Sequence, residues 1–207
     1  MPGFPSPANL GVLISGRGSN LQALIDAVQS GELDARIAVV ISNRSQAAGL
    51  ERAAAAGIAT LTISHRDFTT RDDFDRAIAN ALRQHDVHLV CLAGFMRLIG
   101  GPMLEAFPNA ILNIHPSLLP AFPGVDAPAQ ALAYGVKVSG VTVHLVTGEL
   151  DGGPIVLQRT VLVKDDDTVD ALAARILLEE HRAYPEAVNV VLSGGWSIEG
   201  RCFVRAG

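Results

Sequence analysis

Cysteine is nearly absent from this chain: Cys91 and Cys202 are the only two in 207 residues. That usage excludes a disulfide scaffold and fits a reducing compartment. Cations are also short, with 16 Lys and Arg against 21 Asp and Glu and a net charge of -5. Such a balance argues against a nucleic-acid partner, whose surface calls for clustered cations. It leaves a small anionic substrate open, because a local Arg acts as well inside an acidic protein. Long apolar runs are missing too. The longest, Leu89 to Met96, is broken by Arg97 and is too short to span a bilayer. The start, Met1 to Pro7, has neither the basic nor the apolar region of a signal peptide, and its three prolines read as a disordered tail over residues 1–8. The expectation is a soluble, cytoplasmic protein with one domain over 9–207 and no membrane partner.

What is present is a chain 49% hydrophobic with 20 glycines, the make-up of a compact α/β protein. Leu10–Ile14 reads as a buried strand, followed by the loop 15–20 and a helical pattern from Leu21 to about Val28. Arg36–Ile41 and Thr60–Ile63 read as strands, with an Ala-rich helix between them from Ala47 to Ala56. Thr70-Arg71-Asp72-Asp73 resembles a capping box opening a helix toward Gln84. Leu89–Ala93 and Ala110–Ile114 are further strands, and Pro128–Ala133 a short helix. Ser139–Val146 alternates as a half-buried strand, and another runs from Ile155 to about Val163. A long amphipathic helix follows Thr168 and is expected to end before Pro185. Continuous apolar strands alternating with helices predict a doubly wound, mostly parallel sheet flanked by helices.

Ligands of such sheets bind beyond the carboxyl ends of the strands, near a topological switch point. In extended chain Asn113 and His115 share a face while Ile114 points the other way, and Pro116 keeps the pair at a rim. An amide donor beside an ionisable ring suits a reaction with a developing oxyanion; a polar strand end satisfied by loop backbone is the alternative. The loop Gly16-Arg17-Gly18-Ser19-Asn20 has Leu21 where a dinucleotide fingerprint needs its third Gly. No acid follows the second strand at Ile41–Arg44, and a Walker lysine is missing. The loop therefore suits a single phosphate, with a plain turn as the alternative.

Asp151, on a Gly-Gly-Pro turn, is a candidate to raise the His115 pKa and fix its orientation, although Asp-Gly is also simply a good turn. Glu180 falls on the apolar stripe of the last long helix, near its expected C-terminus, where the dipole disfavours a carboxylate. A substrate amine or hydroxyl, or a salt bridge to a nearby Arg, would account for it. There is no Gly-x-Ser-x-Gly elbow, no His-Glu-x-x-His and no paired Cys/His spacing for a metal. Of the remaining histidines only His144 lies in a strand able to approach the site, with a hydrogen-bonded structural role as its default.

The segments VLISGRGSNLQALI, LAGFMRLI, LNIHPSLLPAFPG, VTVHLV and LDGGPI, in this order from about Leu10 to Tyr184, resemble the folate formyltransferases. The Gly-Ser-Asn loop narrows the resemblance to the phosphoribosylglycinamide formyltransferase family. The resemblance implies a Rossmann-like formyltransferase fold and formyl transfer from 10-formyltetrahydrofolate to the amine of glycinamide ribonucleotide, in purine synthesis. It implies Asn113 and His115 as the oxyanion-stabilising pair, with Asp151 raising the His115 pKa. It assigns Gly18, Ser19, Asn20 and Glu180 to the ribonucleotide. It assigns Arg71, Met96, Arg97, Leu98, Ile99, Asn113, Thr147, Gly148, Glu149 and Leu150 to the folate. No metal is expected, because the oxyanion already has two donors. One departure is the loop Val125–Gln130, which lacks the His or basic residues some members carry. The implied partners are the two small molecules, and a homodimer is left open. Among rivals, a methionyl-tRNA formyltransferase calls for a further tRNA-binding domain and a basic surface. A formyltetrahydrofolate hydrolase calls for a regulatory domain before this one. A non-catalytic phosphosugar-binding module has no need of Asn113, His115 and Asp151 together.

Overall fold

Each β-branched run of the N-terminal half becomes a strand, and helices follow in alternation. The elements are β1 (Ala8–Ile14), α1 (Ser19–Ser30), β2 (Ala35–Ser42), α2 (Ala48–Ala55), β3 (Ala59–Thr62), α3 (Arg71–Gln84), β4 (Leu89–Leu92), α4 (Gly101–Ala106) and β5 (Ile111–His115). The structure is a computed structural model that describes residues 3–205. These five strands pair in parallel in the order β3-β2-β1-β4-β5. β4 is buried throughout and β1 nearly so, which is why both read as unbroken apolar runs. Strand order reverses at β1, so the crevice between the carboxyl ends of β1 and β4 is the switch point. Thr70 makes the expected cap, its Oγ1 accepting from the Asp73 N–H at 3.1 Å.

The chain continues through α5 (Ala127–Tyr134), β6 (Val138–Leu145), β7 (Ile155–Leu162) and α6 (Val169–Leu192). β6 and β7 join antiparallel beside β5. β6 is not half-buried as its alternation suggests: every position but Val138 is buried, because β6 lies between β5 and β7 and under α6. Nor does the last long helix end before Pro185; it runs on to Leu192 with the proline buried inside. An interior proline costs about 3 kcal/mol. Val188, Val191 and Leu192, all buried beyond it, return about 1.5–3 kcal/mol each, so packing wins.

Two features lie outside the expected element list. A hairpin, β8 (Trp196–Glu199) and β9 (Cys202–Arg205), extends the sheet to nine strands through the pair Ile155 and Cys202. Trp196 anchors it, donating from Nε1 to the Val191 carbonyl at 2.9 Å and stacking on Phe203 at 4.8 Å. At the head expected to be disordered, Met1 and Pro2 lie outside the described residues. The Phe4 N–H donates to the Leu192 carbonyl at 3.1 Å, and Ala8 already pairs with Ala35 in the sheet.

Candidate active site

Asn113 and His115 leave the end of β5 on one face, as the alternation requires. Register places His144 of β6 directly opposite Asn113, and Thr142 opposite His115. The chain then doubles back through the turn after Glu149. A Cβ on Gly153 would lie 1.8 Å from the Leu145 carbonyl oxygen, so only glycine permits this return. It delivers Asp151, at φ 49, over the pair. Asp151 Oδ2 lies 3.5 Å from His115 Nδ1 and Oδ1 lies 3.7 Å from His144 Nε2, with the aspartate side chain 8% exposed. Asn113 Nδ2 donates to Asp151 Oδ1 at 3.5 Å, and the Gly124 N–H donates to Asp151 Oδ2 at 2.8 Å. Burial pushes the Asp151 carboxyl up, but His144, the Gly124 N–H and His115 outweigh it and hold the carboxyl below its ordinary value.

Hydrogen bonds fix both rings. His115 Nε2 lies 2.8 Å from the Phe122 carbonyl; a carbonyl only accepts, so Nε2 carries a proton and Nδ1 is the nitrogen turned toward Asp151. His144 Nδ1 donates to the Leu145 carbonyl at 2.9 Å, which aims Nε2 at Asn113 Nδ2, 3.2 Å away, and at Asp151 Oδ1, 3.7 Å away. The three expected residues therefore converge. His144, read by default as structural, stands with them, as do the Phe122 carbonyl and the Gly124 N–H. Strand alternation put His144 on a face; only the register of β5 on β6 puts it against Asn113.

A second cluster lies where β1 meets α1. Gly18 caps α1 in the left-handed region at φ 72, and a Cβ there would meet Gly49 Cα at 2.6 Å. No side chain caps this helix and no acid occupies its first turn, so its leading N–H groups stay available to an anion. Asn20 Nδ2 donates to Glu180 Oε2 at 3.0 Å, joining two residues 160 positions apart. Because α6 continues to Leu192, Glu180 sits mid-helix and the dipole expected to disfavour it does not bear on it. Burial does: it raises the Glu180 carboxyl above its ordinary value, with Asn20 and Arg17 opposing. A carboxyl with a raised folded-state pKa stabilises the fold while protonated and costs stability as pH rises above about 4.5. Glu180→Gln is therefore expected to raise Tm at neutral pH. Thermal melts from pH 4 to 8 check it, with the difference from wild type shrinking toward the acid end.

The third cluster is the loop after β4. The Met96 N–H donates to Ser15 Oγ at 2.8 Å, and Ser15 Oγ donates to Asn43 Oδ1 at 2.6 Å, pinning the loop to the ends of β1 and β2. Met96 and Leu98 are exposed while Ile99 is buried, so two apolar side chains stand in solvent on a loop anchored by the third. Arg71 Nε lies over Gly100, 3.2 Å from where a Cβ would be. Neighbouring Asp75 accepts the Gly100 N–H at 2.6 Å, and burial raises its carboxyl. Thr147, Gly148, Glu149 and Leu150 form the return loop that ends at Asp151; Leu150 is exposed, and Glu149 pairs with Arg201 of the β8–β9 turn at 3.2 Å. Arg201 also donates to the Gly152 carbonyl at 2.8 Å.

Comparison with known proteins identifies the family. A family model described as formyl transferase matches residues 8–188. The chain is 42% identical over 193 residues to phosphoribosylglycinamide formyltransferase of Escherichia coli, covering 93% of this chain and 88% of that one. It is 49% identical over 187 residues to the human trifunctional purine biosynthetic protein adenosine-3, covering 90% of this chain but only 18% of the human protein's length. A crystal structure of glycinamide ribonucleotide transformylase 1 from Symbiobacterium toebii superposes with a TM-score of 0.95 at 55% identity, covering 97% of this chain and 94% of that one. The chain belongs to the formyl transferase family.

Proposed function

We propose that this chain transfers the formyl group of 10-formyltetrahydrofolate to the amine of glycinamide ribonucleotide. The observation that carries it is the convergence of Asn113, His115 and Asp151 at the end of β5. The amine attacks the formyl carbon, a C–N bond forms, and the carbonyl oxygen takes the electron pair. Asn113 Nδ2 and the His115 ring stabilise that oxyanion. The attacking amine gives its proton to His115 Nδ1, and as the intermediate collapses the bond to the folate nitrogen breaks and His115 hands that proton to it. Asp151 holds the imidazole in place and balances its charge. The uncapped start of α1 at Gly18, Ser19 and Asn20 receives the substrate phosphate, and Glu180 meets its ribosyl and amine portion. Arg71, Met96, Arg97, Leu98 and Ile99 with Thr147–Leu150 form the folate site, where exposed apolar side chains suit a flat pterin and an Arg meets the tail carboxylate. Both partners are small molecules, and no helix among the described residues is long and apolar enough to cross a membrane.

The test supplies 10-formyltetrahydrofolate with and without glycinamide ribonucleotide and follows tetrahydrofolate. Release that depends on the ribonucleotide is the expected result. Release without it would identify a hydrolase, and none under either condition a binding module.

A further inference from the structure

Across β5, β6 and β7, register lines up His115, Thr142 and Gln158 in one row. Thr142 Oγ1 is fully used: it donates to the Ser117 carbonyl at 2.7 Å and accepts from the Leu119 N–H at 3.0 Å and from Gln158 Nε2 at 2.9 Å. Gln158 Nε2 also donates to the Leu119 carbonyl at 2.9 Å. Ser117, fully buried, donates from Oγ to the Ala121 carbonyl at 2.6 Å, with the Phe122 carbonyl at 3.3 Å. These bonds hold both ends of the segment 117–122, and that segment carries the carbonyl to which His115 Nε2 donates.

We infer that Gln158 is a positioning residue for the formyl-transfer reaction: through Thr142 and Ser117 it sets the Phe122 carbonyl that keeps the His115 proton on Nε2 and turns Nδ1 toward Asp151. The inference rests on the proposed function and adds a residue two strands away that touches neither substrate. It follows from the two nitrogens of an imidazole being distinct. Whichever one is tied to a carbonyl decides which one faces the reacting atoms. A shift of the carbonyl by about 1 Å frees the ring to exchange tautomers, and misplacement of that size costs up to about 10²-fold in rate.

Gln158→Met keeps the side chain's length and removes both donors. It is expected to lower kcat about tenfold with KM for both substrates within about twofold. In the free protein labelled with 15N at histidine, the His115 ring nitrogens are expected to move from a single Nε2–H pattern toward an averaged one. Thr142→Val is expected to do the same, and Thr142→Ser, which restores the hydroxyl, to recover the wild-type pattern. Gln158 is exposed where Thr142 is buried, so its variant remains informative if Thr142→Val does not fold. A Gln158→Met protein with wild-type kcat, or with lowered kcat and an unchanged ring pattern, overturns the inference, as does Thr142→Ser behaving like valine. The ring spectrum needs no substrate, so it is read even if wild-type protein transfers no formyl group, an outcome that would sink the proposed function instead.

Discussion

Replacing Asn113 with alanine is expected to lower kcat by about 10²–10³-fold while leaving KM for both substrates within a few-fold. In the proposed reaction the amide is the neutral donor, and its Nδ2 stands between His144 Nε2 at 3.2 Å and Asp151 Oδ1 at 3.5 Å. Those contacts orient the amide before substrate arrives, and the longer one, to Asp151, is exchanged for the formyl oxygen as charge builds there. A donor that strengthens only as that charge develops acts on kcat and hardly on ground-state binding. Steady-state rates with both substrates varied decide the matter. A rise in KM with kcat intact would make Asn113 a binding residue and return the oxyanion to His115 alone.

Asp151→Asn is expected to lower kcat by a similar factor, about 10²–10³-fold, and to change the response to acid as well. The aspartate accepts at both oxygens, from Gly124 on one and from Asn113 on the other. An asparagine keeps one acceptor and turns an NH2 group on the other side toward the Asn113 donor, so one bond becomes a repulsion. The sign of the pH effect follows from the depressed carboxyl. A group whose folded-state pKa lies below its unfolded value contributes stability that is present above the unfolded value of about 3.8 and is lost as pH falls through the folded one. Wild type is therefore expected to be more stable than the variant at neutral pH, with the gap closing in strong acid. Denaturant melts at several pH values measure the gap, and a gap of constant size across the series would remove the charge from the explanation.

Much of this site was legible in residue order, for identifiable reasons. Strand alternation places Asn113 and His115 together whatever the tertiary context, and a glycine loop between an apolar strand and a helix has few other uses than close backbone approach. What stayed hidden depends on register and on energy balance. His144 is a buried histidine on a strand until β6 docks on β5 with position 144 against position 113. Pro185 ends a helix by every local rule, and only the buried Ala187, Val188, Val191 and Leu192 beyond it carry the helix past; with that extension the electrostatic reason for noticing Glu180 dissolves, although the residue itself meets Asn20. The hairpin at Trp196 is short and mostly exposed, and its one buried aromatic carries no periodicity. The network from Gln158 to Phe122 is invisible in sequence, because most of its acceptors are backbone carbonyls common to every residue.

The grip of Arg201 on Glu149 and the Gly152 carbonyl has a consequence for how this chain diverges from its relatives. The family match ends at residue 188, whereas the turn carrying Arg201 lies beyond it and holds the loop that delivers Asp151. Sequence drift in the hairpin thus reaches that loop without passing through any reacting atom. Where opening of the loop governs turnover, its speed is adjustable from the hairpin.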